Sequence, residues 1–230
     1  MEMVSNYSMK YVVNKHSRVI ELITNNLKAI ISHSDESLNE EQLLELVENT
    51  VFESSYISLI DYDEITDVIR AIFLRVSSKY SILSNYIEDP CINEIMVNGY
   101  NRIFVEKNKK ITEVDNAFYS DDELEGLIRM FASDIHREIN EANPIVDARL
   151  ENGYRVNGVL KNVALNGPIL TIRKFANDEI TLEGIRELNP DRIVLSPGPK
   201  HPKDSSICLE ILKNIDNIPI LGICLGHQTF

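Results

Sequence analysis

The chain has 230 residues, of which 43% are hydrophobic and 26% are charged, and its formal net charge is −13. This composition is typical of a globular protein with one large domain or two small ones. Eleven acidic residues and no Lys or Arg lie between Lys28 and Arg70, which argues against nucleic acid or an anionic membrane as a partner. A solvated helix face is the ordinary explanation of such an acidic run.

The first 87 residues predict a helical arm or a small bundle. Apolar residues recur mostly at intervals of three and four, the period of an amphipathic helix. The first predicted helix covers residues 12–31 and the third covers residues 63–86. The second is predicted to begin at Ser37 as its N-cap, with Glu40 three residues later as the partner in a capping box.

From Pro90 the pattern changes to short strands. Ser120 followed by three acidic residues predicts a helix start, because carboxylates stabilise the positive end of the helix dipole. That helix is predicted to end near Ile139. The strands predicted before it cover residues 92–98, 102–106 and 111–114.

Residues 147–175 predict three more short strands, separated by Asn-Gly turns. Arg155 and Arg173 alternate with apolar neighbours such as Val156 and Ile172. This period of two is typical of strands with one buried face. Strands, one helix and strands again predict an α+β domain over residues 88–175.

Three blocks of this region match a known pattern in the same order. Residues 88–99 read EDPCINEIMVNG, residues 146–157 read VDARLENGYRVN and residues 167–175 read GPILTIRKF. They resemble the N-terminal region of type II/type IV secretion-system ATPases, above all the CpaF-like branch that drives Flp pilus assembly. The resemblance covers most of residues 1–175. It implies a region that precedes a RecA-like motor, helps to form a hexamer and meets inner-membrane pilus-assembly proteins.

By this resemblance Arg155, Arg173 and Lys174 are candidates for phosphate or base contacts at a domain border. The alternative is ordinary surface charge, since isolated basic residues are usually solvated. The phosphate-binding loop of the motor needs a Gly-Lys pair, because backbone N–H groups and a lysine cradle the phosphates. None of the nine glycines precedes a lysine. We therefore expect no ATP hydrolysis by this chain alone, and ATP as a cofactor only if a motor domain is supplied.

Residues 176–230 follow a different pattern, in which apolar strands do not alternate with polar residues. A helix between two such strands predicts a single βαβ crossover of a parallel sheet. The predicted elements are a short helix at 183–188, a strand at 192–196, a helix after Asp204 or Ser205, and a strand at 218–223. The predicted fold is therefore an α+β domain preceded by a helical arm and followed by a truncated α/β segment.

Cys224 is the centre of a second candidate functional motif. Residues 222–226 read GICLG, with small residues two positions before and after the cysteine, as in a nucleophile elbow. At a helix N-terminus the dipole favours the thiolate of Cys224. A buried cysteine at a strand end explains the motif equally well on its own.

Two longer stretches extend this motif: residues 189–200 read NPDRIVLSPGPK and residues 221–228 read LGICLGHQ. They resemble class I glutamine amidotransferases, most closely the small subunit of anthranilate or aminodeoxychorismate synthase. The resemblance implies that Cys224 attacks the side-chain amide of glutamine and releases ammonia. The other residues that it implies are Gly198 and Pro199 in the glutamine-binding loop, Leu225 as an oxyanion-hole donor, Gln228 as a substrate contact, His227 as a structural histidine, and His201 as a loop residue.

The catalytic His and Glu of that family lie beyond the cysteine and are absent from these residues. Because a thiol without a positioned base loses most of its catalysis, we expect a hybrid without the full activity of either family. One alternative is a glutaminase component that serves the large subunit of a chorismate-using synthase. Another is a coding sequence that joins two unrelated pieces near residue 176.

The cysteine spacing and the apolar runs of the chain indicate its cellular compartment. Three cysteines without CxxC spacing argue against a disulfide framework or a zinc site. No signal-peptide pattern is visible in residues 1–10, and no apolar run approaches the roughly 18 residues that span a bilayer. We therefore expect a cytoplasmic protein.

Overall fold

The computed structural model describes residues 7–33, 38–150, 153–174, 182–195 and 206–223, with only the backbone of Gly184 and Ser206. The chain divides into two compact units, Met1–Ala176 and Asn177–Phe230. The first unit contains two clusters of buried apolar side chains, and the second contains one.

The N-terminal part of the first unit is helical, and its longer helices pack around a common apolar core. Ile20, Val47 and Ile72 are completely buried in this core. The helices are α1 (Met9–Lys15), α2 (Ser17–Ser32), α3 (Glu40–Glu53), α4 (Ile65–Val76) and α5 (Ser84–Glu88), with 3-10 turns at Ile57–Leu59, Tyr62–Glu64 and Ser81–Leu83.

The prediction of a single helix over residues 12–31 is wrong, because the helix is interrupted at His16, between α1 and α2. His16 has φ −107° and ψ 20°, and its backbone N–H caps α1 by donating to the carbonyl of Val12. Its ring is buried, with Nε2 2.6 Å from a carboxylate oxygen of Glu64. The interruption of the helix therefore coincides with a contact between His16 and Glu64, which are 48 positions apart and which the local hydrophobic pattern could not connect.

The capping box of α3 exists, but it lies two residues later than predicted. The side chain of Asn39 accepts a hydrogen bond from the backbone N–H of Gln42 at 2.9 Å. The side chain of Gln42 accepts one from the backbone N–H of Asn39 at 3.0 Å. The predicted pair of Ser37 and Glu40 is therefore wrong. Ser37 itself lies outside the described residues.

Two other helices end earlier than the sequence predicts. The helix predicted to continue to residue 86 ends at Val76, and Ser81 has a φ of 53°. The helix predicted to reach Ile139 ends at Asp134, and His136 has a φ of 54°. A right-handed helix cannot continue through a residue in the left-handed region.

The rest of the first unit is a six-stranded sheet that packs against one helix. Its strand order is β3-β2-β1-β6-β5-β4, and every neighbouring pair is antiparallel. The prediction of an α+β fold is confirmed. The elements are β1 (Ile92–Asn98), β2 (Ile103–Lys107), β3 (Lys110–Glu113), α6 (Asp121–Asp134), β4 (Ile145–Arg149), β5 (Arg155–Val159) and β6 (Ile169–Arg173).

One face of this sheet is buried and the other is open, as the alternation predicts. Val156, Leu170 and Ile172 are fully buried. On the same side, Gly158 allows α6 to approach β5, because a Cβ at this position would lie 2.6 Å from Cγ2 of Ile128. The polar residues of β5 and β6 therefore lie on the open face.

Arg75 joins the helical part to the sheet part of the first unit. This side chain of α4 is 1% exposed and donates to the carbonyls of Ala71 and Ala117, each at 2.7 Å. Its Nε lies 2.8 Å from Oε1 of Glu123 on α6, as a close ion pair without hydrogen-bond alignment. Burial raises the pKa of Glu123, although Arg75 opposes this effect.

The described part of the second unit is small. Two strands pair in parallel, and a helix lies between them in the sequence. Its buried apolar residues are Ile185, Leu195, Ile211 and Ile215. The elements are α7 (Leu182–Leu188), β7 (Ile193–Leu195), α8 (Ser206–Asn214) and β8 (Ile220–Gly222).

Within the described residues, no helix is long and apolar enough to cross a membrane. The same residues contain no cluster of three or more His, Cys, Asp or Glu side chains that could hold a metal ion.

Candidate functional site

Arginines form a row across the open face of the sheet. Arg149 on β4 is paired in register with Arg155 on β5, and Arg155 is paired with Arg173 on β6. Glu94 on β1 ends the row, as the register partner of Arg173. We call Arg149, Arg155 and Arg173 the arginine row. It concentrates positive charge in a chain whose net charge is −13.

Two carboxylates stabilise this arrangement, since like charges directly opposite each other on neighbouring strands repel. Asp147 accepts two hydrogen bonds from Arg155, at 3.0 Å from Nε and 2.7 Å from Nη2. Arg155 thereby holds the pKa of Asp147 below its ordinary value. Glu94 lies 3.3 Å from Nη2 of Arg173. The guanidinium groups of Arg155 and Arg173 remain largely exposed despite these contacts.

An open depression of about 270 Å³ lies over the middle of the row. Its floor is formed by two acids, two arginines and two neutral hydrogen-bonding side chains. Guanidinium groups with a planar fork of donors suit carboxylates and phosphates. The lining residues are Glu94, Asp147, Arg155, Asn157, Thr171 and Arg173.

Lys174, the third basic candidate, is not part of the exposed row. It is 6% exposed, and its Nζ donates to the backbone carbonyls of Asp89 at 2.5 Å and Tyr86 at 3.4 Å. Burial lowers the pKa of this ammonium. The observed contacts of Lys174 are structural, because they tie the end of β6 to the segment before β1.

Arg149 was missed by the sequence reasoning. Nothing in its local sequence sets it apart from other basic residues. Only the strand register places it beside Arg155. The predicted alternation over residues 147–175 contained a signal, since it places residues 147, 149, 155, 157, 171 and 173 on one face.

The candidate amidotransferase residues lie outside the described part of the chain. These are Gly198, Pro199, Cys224, Leu225 and Gln228, together with His201 and His227.

The two strands that precede these candidates are described. Leu195, the last residue of β7, is the register partner of Gly222, the last residue of β8, and the N–H of Ile223 donates to the carbonyl of Leu195 at 2.9 Å. The carboxyl ends of β7 and β8 therefore lie side by side, and each precedes one of the candidate stretches in the sequence. The carboxyl ends of parallel strands are where ligands bind in open α/β sheets.

Comparison with known proteins relates the C-terminal part of the chain to one family. Residues 150–230 match the family model described as Glutamine amidotransferase class-I. Anthranilate synthase component 2 of Methanocaldococcus jannaschii is 54% identical over 55 residues, which are 24% of this chain and 27% of that protein. The Acetivibrio thermocellus protein of the same name is 55% identical over 59 residues, which are 25% of this chain and 65% of that protein. The chain thus spans less than two thirds of these relatives.

Other similarities extend beyond this family. An uncharacterized protein of Methanocaldococcus jannaschii, MJ0781, is 32% identical over 117 residues, which are 50% of this chain and 16% of that protein. Among solved structures, the VirB11 ATPase from the Brucella suis type IV secretion system aligns with a TM-score of 0.42 and 18% identity. That alignment covers 60% of this chain and 54% of the solved chain.

Proposed function

We propose that the chain joins a non-catalytic assembly module of the secretion-ATPase type to an amidotransferase segment of the anthranilate synthase component 2 type. The observation that carries the second half is the family match over residues 150–230, with relatives more than 50% identical. The first half is supported by the three ordered sequence blocks between residues 88 and 175.

In the amidotransferase segment, Cys224 is the proposed nucleophile. Gly198 and Pro199 bind glutamine, Leu225 supplies a backbone N–H to the oxyanion, and Gln228 contacts the substrate. The paired carboxyl ends of β7 and β8 support this assignment, since Leu195 and Gly222 are register partners and each precedes one of the two stretches in the sequence. This motif supplies a thiol and an oxyanion site, but its residues include no general base for the thiol proton.

A glutaminase assay tests the proposal. A polypeptide of these 230 residues is incubated with glutamine, and ammonia is measured beside Cys224→Ala and the matched control Cys208→Ala, whose thiol is half-buried in the second unit. We expect all three to release ammonia at the same background rate. Sustained turnover that Cys224→Ala abolishes and Cys208→Ala preserves would refute the non-catalytic assignment.

The assembly module is proposed to act through oligomerisation rather than through chemistry. Arg155 and Arg173 then contact the nucleotide phosphates of a motor domain on a separate ATPase chain, within a hexamer that meets inner-membrane pilus-assembly proteins. Their exposed guanidinium groups on one sheet face support this proposal. No cofactor is proposed for this chain alone.

Co-assembly tests the module. The 230-residue chain is mixed with an intact secretion ATPase and ATP, and mixed oligomers are sought by sedimentation and native mass spectrometry. We expect mixed oligomers with the wild-type chain and weaker assembly with the pair Arg155→Gln and Arg173→Gln. Absence of any mixed species with the wild-type chain contradicts the proposal.

The second candidate function is a glutaminase component for a chorismate-using synthase large subunit. The names of two relatives favour it, since both are anthranilate synthase component 2. Ammonia release that appears only when a large subunit is added, and that requires Cys224, would favour this function over the first.

A further inference from the structure

A cleft of about 620 Å³ opens in the first unit between α2, α4 and α6. Its volume falls within the roughly 300–1,000 Å³ of small-molecule sites. The lining of the cleft shares no residue with the arginine row. Its apolar lining residues are Ile31, Val76, Phe118, Leu127 and Met130, of which Phe118 and Leu127 are buried.

Gly126 lies inside α6 and lines this cleft. A glycine inside a helix is destabilising relative to alanine. Packing does not require it here, because a Cβ at this position would meet no atom within 4 Å. By contrast, the glycine at position 158 is required by its neighbours. Gly126 keeps space open where a larger side chain would narrow the cleft.

Ser81 lines the same cleft from the segment after α4. Its φ of 53° is unfavourable for a residue other than glycine. Its Oγ is buried and has no hydrogen-bond partner among the described residues. Two unfavourable features at one serine are accounted for if its hydroxyl donates to a bound molecule.

The charged residues around the cleft indicate the sign of the charge on that molecule. Lys28 of α2 is exposed at the cleft, and its positive charge favours the ionised form of Glu123, but the described residues place no carboxylate within ion-pair distance of its ammonium group. The other charged lining residues are neutralised in close pairs. These are Arg75 with Glu123 at 2.8 Å, Lys79 with Asp134 at 2.7 Å, and Asp122 with Lys161 at 2.6 Å.

We propose that this cleft binds a small amphipathic carboxylate. Its single negative charge lies at Lys28, its apolar body lies along the half-buried side chains of Ile31, Val76 and Met130, and the Ser81 hydroxyl donates to one of its oxygens. Among the described residues, one cation without an ion pair beside apolar lining fits a monocarboxylate better than a dianionic phosphate.

Binding is tested on the 230-residue chain with 4-phenylbutyrate, and with the neutral 4-phenylbutanamide as a matched probe, by ligand-observed NMR titration. We expect saturable binding of the acid. We expect binding of the amide to be weaker by about five-fold or more, because it lacks the charge-assisted contact.

Variants locate the binding within the molecule. Lys28→Met should reduce the affinity for the acid to that for the amide. Lys110→Met, on the exposed strand β3, should leave the affinity for the acid unchanged. Gly126→Leu should abolish binding by filling the cleft. Ser81→Gly should weaken binding while raising the melting temperature, because glycine tolerates the positive φ. A merely structural role of Ser81 would not separate these two effects.

The proposal is overturned if neither probe binds saturably at millimolar concentration, or if acid and amide bind equally. It is also overturned if Lys28→Met and Gly126→Leu keep the wild-type affinity. Melting temperatures of all variants identify any that fail to fold. Gly126→Ala, which fits the open space, serves as the folded reference for Gly126→Leu.

Discussion

At the scale of single residues, Glu64 is the acceptor of a buried network beside the break between α1 and α2. Its two carboxylate oxygens accept hydrogen bonds from the Lys15 ammonium group, each at 2.8 Å, and one of them lies 2.6 Å from Nε2 of His16. Burial disfavours its charge, but the hydrogen bonds from Lys15 and His16 outweigh burial and lower its pKa below 4.5. Both partners adjoin the break, so the network stabilises the bend between the two helices.

Glu64 should make stability depend on acidic pH. Its folded pKa lies below the unfolded value, so its contribution is complete above pH 4.5 and is lost as the pH falls through the folded pKa. Glu64→Gln should lower the free energy of unfolding by about 1–3 kcal/mol at neutral pH. It should also reduce the loss of stability that occurs as the pH falls below 4.5. Urea unfolding between pH 3 and pH 7 measures both effects. Glu53→Gln, on the exposed end of α3, is the control. An unchanged acid profile in Glu64→Gln would show that other carboxylates cause the loss.

At the scale of elements, the start of α3 depends on one capping residue. Asn39→Ala should lower the free energy of unfolding by about 1 kcal/mol, because the N–H of Gln42 loses its acceptor. Ser37→Ala, at the position that the sequence pattern favoured, should change stability little. Chemical denaturation of both variants decides between the two caps. The reverse order of effects would contradict the observed capping box.

The packing of α6 on β5 depends on Gly158. Gly158→Ala should destabilise the protein by about 1–3 kcal/mol, since the added methyl would lie 2.6 Å from Ile128 and 3.0 Å from Val146. Gly126→Ala, on the open side of the same helix, is the matched control and should raise the melting temperature. Equal effects of the two substitutions would mean that helix propensity, and not packing, controls this interface.

At the scale of the whole molecule, the compact units and the family match do not share a boundary. The units divide at Ala176 and Asn177, whereas the amidotransferase match begins at residue 150, before β5. β5 and β6 are central strands of the six-stranded sheet, between β1 and β4. Their hydrogen bonds and buried side chains assign them to the first unit.

This boundary predicts that the first unit folds independently. A polypeptide that ends at Ala176 contains both apolar clusters of the first unit, so it should unfold in one cooperative transition at the melting temperature of the main transition of the full chain. Differential scanning calorimetry of the two polypeptides makes the comparison. The 230-residue chain with Cys208→Ala controls for oxidation of that thiol. A large fall in melting temperature on removal of residues 177–230 would contradict independent folding.

The amino-acid sequence by itself determined the strand alternation of β5 and β6, the cap of α6 at Ser120 and the α+β class, because these follow from local period and local hydrogen bonds. Only the tertiary structure decided the break at His16, the arginine row and the cleft at Gly126. Each of these depends on residues that are distant in sequence: Glu64 contacts His16 across 48 positions, and strand register aligns Arg149, Arg155 and Arg173. Periodicity reports which face of an element is buried, but it does not report what that face meets.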